Sequence, residues 1–210
     1  MIFNRALDLF NQKGIEYIGI RELALDLDLH VGNITYYFPR KENLVEEMGL
    51  RLRVANEKTF NAFADSALTL FDFLDRSRQV FQNQYQYRCL LLSVVQLFRN
   101  YPMFYREYKA TEATRKKSLA NAFVILRRSG YLKATLSAEA TDELVSLFSF
   151  ISRFWPSEAS VSYRKEKPEW IIAHYLSLLA KILEPHSTSK GKKELQQFLS
   201  ALKSDMLGGK

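Results

Sequence analysis

The sequence predicts an all-α protein: an N-terminal three-helix unit with a helix-turn-helix, followed by a larger helical body. Two observations carry that expectation. Apolar residues recur at intervals of three and four in nearly every segment, the period of a helix packed on one face. No segment combines sustained apolar–polar alternation with turn pairs such as Asn-Gly, so sheet is not expected. No internal repeat of fixed period is visible.

The elements follow from that spacing. Phe3, Ala6, Leu7 and Phe10 mark a first helix, with Lys13-Gly14 at its end. Ile20, Leu23, Ala24 and Leu27 mark a short second helix. Leu29, Ile34 and Phe38 belong to a third, which Pro39 stops because the residue before a proline avoids helical geometry. Leu44, Met48, Leu52 and Ala55 place a longer fourth helix from about Lys41. Leu68, Phe71, Leu74, Arg78 and Phe81 make the next stripe. Leu90, Leu91, Val94 and Phe98 make another, closed by Pro102. Leu119, Ala122, Phe123 and Leu126 lead to Gly130. Leu144, Leu147, Phe148, Ile151, Phe154 and Trp155 run up to Pro156, where the spacing predicts a stop. Pro168 suits the first turn of a helix carrying Ile171, Ile172, Tyr175, Leu176, Leu179, Ile182 and Leu183. Leu195, Phe198, Leu199 and Leu202 form a last amphipathic helix. The polar stretches 157–167 and 186–193 read as loops. The division expected is 1–45 for the small unit and 46–210 for the body, joined rigidly near residues 41–60 because no linker-like sequence separates them.

Composition narrows the class. The chain has 210 residues, 47% of them hydrophobic, enough to build a core. A single cysteine, Cys89, excludes an internal disulfide and a Cys-rich zinc site, and it reads as a small buried hydrophobe. No stretch free of Asp, Glu, Lys and Arg exceeds the length of Trp170–Ala180, well short of the roughly 20 residues a bilayer span needs. The start shows no basic region followed by an apolar run. The expectation is a cytoplasmic protein with no membrane partner. The net charge is +7, yet residues 1–60 hold eight Lys and Arg against nine Asp and Glu. The basic excess lies in the body, on what read as solvated helix faces, so net charge does not mark a nucleic-acid-binding end.

The informative stretch is 14–41, GIEYIGIRELALDLDLHVGNITYYFPRK. It reads as two short helices joined by Asp28-Leu29-His30, with small Ala24 at the crossing and Asp28 where the turn needs left-handed geometry. Ile20, Leu23, Leu27, Leu29, Ile34 and Phe38 can close a small core with Phe3, Leu7 and Phe10. That leaves His30, Val31, Gly32, Asn33, Thr35, Tyr36 and Tyr37 facing out or partly out. Asn, Thr and Tyr side chains offer donors and acceptors to base edges and phosphates, and Gly32 permits close backbone approach. A helix entering a major groove needs these properties, so the expected partner is double-stranded DNA.

These residues closely resemble the TetR family of transcriptional regulators. The resemblance rests on Ala6-Leu7, Phe10, Lys13-Gly14, Ile20-Arg21-Glu22-Leu23-Ala24, Val31-Gly32-Asn33-Ile34-Thr35-Tyr36-Tyr37-Phe38 and Lys41, over about 45 residues. Asp28 departs from the glycine usual at the turn, and no basic arm precedes helix 1. The resemblance implies that Arg21 meets a base or phosphate, and that His30, Val31, Gly32 and Asn33 read bases. It further implies that Thr35 and Tyr37, with Tyr36 beside them, contact the backbone, and that Lys41 anchors a phosphate. It implies a homodimer on a palindromic operator, released by an unknown small-molecule effector held in the body. The helices at about 139–155 and 168–184, apolar over most of their circumference, are expected to form the two-fold interface.

Plainer roles compete for several of these residues. Arg21 can pair with Glu22 or Asp26, Tyr36 can cover the core, and His30 can be a solvated turn residue. The many rings of the body make a core by default, with a ligand pocket between helices as the functional alternative. His174, on a strongly apolar helix, reads as a core or interface residue. No H-E-x-x-H, P-loop, Gly-x-Ser-x-Gly or dinucleotide fingerprint is present, so no enzymatic activity, cofactor or metal site is expected. The competing class is a helical scaffold protein with a non-functional head, motivated by the slightly acidic N-terminal part.

Overall fold

The computed structural model describes residues 1–208. Among the described residues there are eleven α-helices, one 3-10 turn and no strand; Leu132 and Ser187 form an isolated bridge.

The head is built from α1 (Ile2–Lys13), α2 (Ile20–Asp26), α3 (Val31–Thr35) and the start of α4 (Lys41–Ala62). Gly14 ends α1 at φ 93°, a left-handed value that costs glycine nothing, and its N–H reaches the Phe10 carbonyl at 2.9 Å. Phe3, Ala6, Leu7, Phe10, Leu23, Ala24, Ile34, Leu44, Val45 and Met48 are buried together. Ile15 and Ile18, from the α1–α2 connection, join the same cluster. Ile20, Leu27 and Phe38, expected in that core, pack against the cluster half-buried, and Leu29 is half-buried as well. Ile34 is fully enclosed, so truncating it to Ala costs about 2–5 kcal/mol.

The body comprises α5 (Leu70–Gln86), α6 (Arg88–Leu92), α7 (Val94–Asn100), α8 (Pro102–Arg128), α9 (Ala138–Ser162), α10 (Pro168–Leu183) and α11 (Ser189–Gly208). A capping box opens α5: the Thr69 hydroxyl accepts the Asp72 N–H at 3.0 Å, while the Asp72 carboxylate accepts from Thr69. The body core runs from Phe73 and Phe81 through Phe123 and Phe148 to Trp155, Leu176 and Phe198. Among the described residues, no helix is long and apolar enough to cross a membrane.

The structure corrects five readings. The stripe at 90–98 is two short helices, because the backbone leaves helical geometry at Ser93 (φ −98°, ψ 12°). Pro156 does not stop its helix. It sits inside α9, and burial of Trp155, Pro156 and Ala159 offsets the one backbone hydrogen bond that proline removes. The expected loop at 157–167 therefore shrinks to the residues between α9 and α10. The polar stretch 186–193 is half helix. The Thr188 hydroxyl accepts the Gly191 N–H at 3.1 Å, starting α11 at Ser189. The third helix, expected over about 31–38, ends at Thr35. The Tyr37 and Phe38 N–H groups both close back on the Ile34 carbonyl, turning the chain before Pro39.

Candidate nucleic-acid interface

The turn between α2 and α3 is set by Asp28, the one non-glycine residue with positive φ (52°) among the described residues. Its N–H bonds the Leu25 carbonyl at 3.2 Å, and the Leu29 N–H bonds the Ala24 carbonyl at 2.9 Å. This is the hydrogen-bond pattern of a glycine-ended helix, made by aspartate, whose short polar side chain tolerates the left-handed region. The departure at Asp28 therefore leaves the turn intact.

Around that turn the expected contact residues fall into two groups. His30, Val31, Gly32, Asn33, Tyr36 and Tyr37 are exposed on one side of the head. Tyr36 is 81% and Tyr37 67% exposed, so neither covers the core. Their rings meet edge to face with centroids 5.0 Å apart, which restrains both without burying them. Asn33 makes no side-chain hydrogen bond among the described residues, and its amide is available to a partner. A Cβ placed on Gly32 would meet nothing within 4 Å, so the chain itself has no packing need for glycine there.

Thr35 and Lys41 are differently placed. Thr35 is half-buried, and its hydroxyl donates to the Gly32 carbonyl at 3.4 Å. Lys41, also half-buried, donates from Nζ to the Ile15 carbonyl at 2.7 Å. It ties the start of α4 to the α1–α2 connection while keeping two of its three N–H donors.

Arg21 is exposed on α2, and both of its candidate partners are engaged elsewhere. Glu22 accepts the Gly19 N–H at 2.9 Å. Asp26 holds Arg5 of α1 through a two-point ion pair. That hydrogen bond draws the Asp26 carboxyl below, and the Arg5 guanidinium above, its ordinary range. The pair neutralises one of the acidic groups beside the α2–α3 turn. Arg40, which sequence reasoning did not single out, is exposed at the start of α4. Its adjacency to Lys41 just after Pro39 was the available signal.

The body holds a cavity of about 390 Å³ between α4, α5, α8 and α9. Phe60, Phe81, Leu91 and Phe148 supply apolar wall, and Arg53, Glu112, Arg115 and Arg153 supply charge. The rings of the body thus divide their work: most form core, and some line this space. Cys89 is buried and its thiol is pushed up to about 12 by desolvation, so it is inert.

A helix-turn-helix with an unpartnered polar and phenolic face, mounted on a helical body with an internal cavity, defines a DNA-binding transcriptional regulator. The chain belongs to the tetR family. Residues 2–48 match the model described as bacterial regulatory proteins, tetR family, and residues 51–195 match that described as bacterial transcriptional repressor. The chain is similar to the probable HTH-type transcriptional regulator YttP of Bacillus subtilis (strain 168), 35% identical over 68 residues. That match spans 32% of this chain and 33% of the relative. Among solved structures, a TetR-family regulator from Marinobacter aquaeolei VT8 superposes with TM-score 0.84 at 17% identity, covering 96% of both chains. The ketosteroid regulator KstR2 of Mycobacterium tuberculosis superposes at 0.65 and 14% identity, covering 90% of this chain and 94% of that one. At such identities these two likenesses show the fold alone.

Proposed function

We propose that the chain is a homodimeric regulator in which residues 1–45 read an operator and residues 46–210 dimerise and bind an effector. One observation carries the reading. The surface of α3 and the turn after it presents Asn33, Tyr36 and Tyr37 to solvent with no role in packing. Val31, Gly32 and Asn33 face the base edges, with His30 beside them. Tyr36, Tyr37 and Arg21 hold the phosphates, and Thr35 and Lys41 support that surface from its edges, Lys41 through its two remaining donors. In a dimer the two heads meet half-sites roughly 34–36 Å apart or a multiple of that.

The two-fold interface is formed by α9 and the outer stripe of α10. Eight residues of α10 are buried within the subunit against α5, α9 and α11, which leaves Trp170, His174, Ser177, Leu178 and Lys181 as its outer face. On α9, Leu147, Phe150 and Val161 are 46%, 62% and 83% exposed, and half-buried Phe154 lies on the same face. A stripe this apolar on a long helix is a surface that needs a partner. Isologous packing of two copies supplies one.

Effector binding in the body cavity shifts the population toward dimers whose heads do not match the operator, which requires higher ligand affinity for that state. Helix α4 carries the change, because it supplies Leu44, Val45 and Met48 to the head core and Asn56 and Phe60 to the cavity. The test is a mobility-shift assay with duplex DNA from upstream of the protein's own gene. The wild type retards it, and the double variant Asn33→Ala, Tyr37→Ala, folded by circular dichroism, does not. Unchanged retardation by the double variant rejects this contact face.

A further inference from the structure

We propose that the body cavity binds an amphiphilic anion, an apolar tail ending in one carboxylate or similar oxyanion held between Arg115 and Arg153. The inference rests on the reading of this cavity as the effector site and names the chemistry that fits it.

The argument begins at Tyr108 on α8. Two guanidinium groups converge on its ring: Arg115 lies 4.7 Å from the centroid and Arg153 of α9 lies 5.2 Å from it. Arg153 also donates to the Tyr108 hydroxyl at 2.6 Å. All three residues line the cavity. Two like charges held around one ring in a part-buried site repel, and such an arrangement asks for a counter-anion.

The chain supplies only part of one. Glu112 bonds Arg153, but it also bonds Lys109, so one carboxylate is shared by two cations. Arg115 has no carboxylate partner among the described residues. Its guanidinium donates to the Thr111 hydroxyl and, at 3.4 Å, to the Tyr108 carbonyl, both neutral. Burial pushes its pKa down, and the opposing pull of Tyr108 and of nearby Glu112 does not make up for the lost water. Among the described residues, then, Glu112 is the one carboxylate paired with Lys109 or Arg153, and none is paired with Arg115. Elsewhere in the lining the balance is different. Arg53 lies 3.5 Å from Glu107 and 3.9 Å from Glu57, so this cation is already paired within the chain.

The remaining wall fixes the rest of the ligand. Phe60, Phe81, Leu90, Leu91, Leu119 and Phe148 make it aromatic and aliphatic. An apolar tail fills this space and the anionic head reaches Arg115, whose planar fork matches two oxygens of a carboxylate. A cationic ligand of the same shape meets the uncompensated guanidinium and is rejected.

The experiment compares three ten-carbon probes differing only in the head group: decanoate, 1-decanol and decylammonium. Each is titrated calorimetrically into the intact protein. Decanoate is expected to bind at least tenfold more tightly than decanol, with decylammonium weakest. Arg115→Gln is expected to abolish the advantage of decanoate over decanol, and Arg115→Lys to restore part of it. The wild-type comparison stands without any variant, so a misfolded substitution does not rescue the proposal. Equal binding of decanoate and decanol overturns it, as does tighter binding of decylammonium or no binding of any probe. A parallel mobility shift separates the two readings. Selective decanoate binding that leaves the DNA complex intact supports the anion site and overturns the effector role. DNA release by decylammonium without decanoate binding overturns the anion site and leaves the effector role standing.

Discussion

Asn11 of α1 grips the backbone at Cys89: its Oδ1 accepts the Cys89 N–H at 3.0 Å, and its Nδ2 donates to the Gln86 carbonyl at 2.8 Å. One side chain of the head thus satisfies two backbone polar groups at the break between α5 and α6, where Tyr87 (φ −107°, ψ 30°) interrupts the helix. The next residues, Leu90 and Leu91, line the body cavity. Tyr87, Cys89, Leu90, Leu91 and Leu97 are buried in the same cluster as the head. The head is therefore held to the body at two places, through α4 and through this clasp.

Removing the clasp should loosen that second joint. Asn11→Ala leaves a part-buried N–H and a carbonyl unpaired, which costs about 1–3 kcal/mol. The expected outcome is a lower urea midpoint together with faster hydrogen exchange at the Cys89 amide. Unchanged exchange there means that the joint is held by apolar packing alone.

Arg21 and Lys41 should separate by which quantity they move. Arg21 has no hydrogen-bond or ion-pair partner among the described residues, so Arg21→Ala is expected to leave stability within about 0.5 kcal/mol. In salt titrations of operator binding, the log–log slope should become shallower by about one for each phosphate that is no longer neutralised. Lys41→Ala also breaks the bond to the Ile15 carbonyl, so it should lower head stability by about 1–2 kcal/mol as well as affinity. The checks are urea unfolding of both variants and a salt series on the same duplex. Equal stability losses overturn the distinction.

The contrast between these two cations shows where sequence reasoning reached. The spacing of Phe3, Leu7, Phe10, Leu23 and Ile34 gives the helical period, and those residues are the head core. Asp28 announced its left-handed turn through residue type, a property of the local backbone. Lys41 did not announce its bond, because Ile15 lies 26 residues away and nothing in either residue's neighbourhood encodes the pairing. The continuation of α9 through Pro156 was hidden for the same reason: proline's local cost is legible, and the packing of Trp155 and Ala159 that offsets it is not. The cavity shares that limit. Arg115 and Arg153 lie on different helices, and only the fold brings both to Tyr108.

His174 should make stability fall on mild acidification. Its ring stacks on Trp170 with centroids 5.2 Å apart and lies 4.7 Å from that of Tyr163. Desolvation lowers its pKa most, Lys181 adds to the lowering, and Glu158 opposes it. A histidine with a lowered folded pKa favours the neutral ring in the native state. Its contribution is complete above the unfolded value, about 6.5, and is lost as pH falls from there toward the folded value. The urea midpoint is therefore expected to drop between pH 7.5 and 5.5, and His174→Gln to flatten that drop. If the two-fold interface covers this stripe, dissociation of the dimer should follow the same pH range in analytical ultracentrifugation.

Gly32 sets stability against function in one substitution. Its φ is not positive, and an added Cβ would meet nothing within 4 Å, so alanine fits the free protein without strain. Glycine in a helix is about 1 kcal/mol less favourable than alanine, and no packing within the chain offsets that cost. Gly32→Ala is therefore expected to raise head stability by about 0.5–1 kcal/mol. On operator DNA the same methyl group holds the backbone of α3 away from the base edges, so affinity should fall. The measurement is a urea midpoint and a dissociation constant on one preparation at fixed salt. A higher midpoint with weaker binding means that the glycine is kept for a surface outside the chain. A higher midpoint with unchanged binding means that the backbone at residue 32 does not approach the duplex, and the reading position of α3 must be moved toward Asn33 and Tyr37.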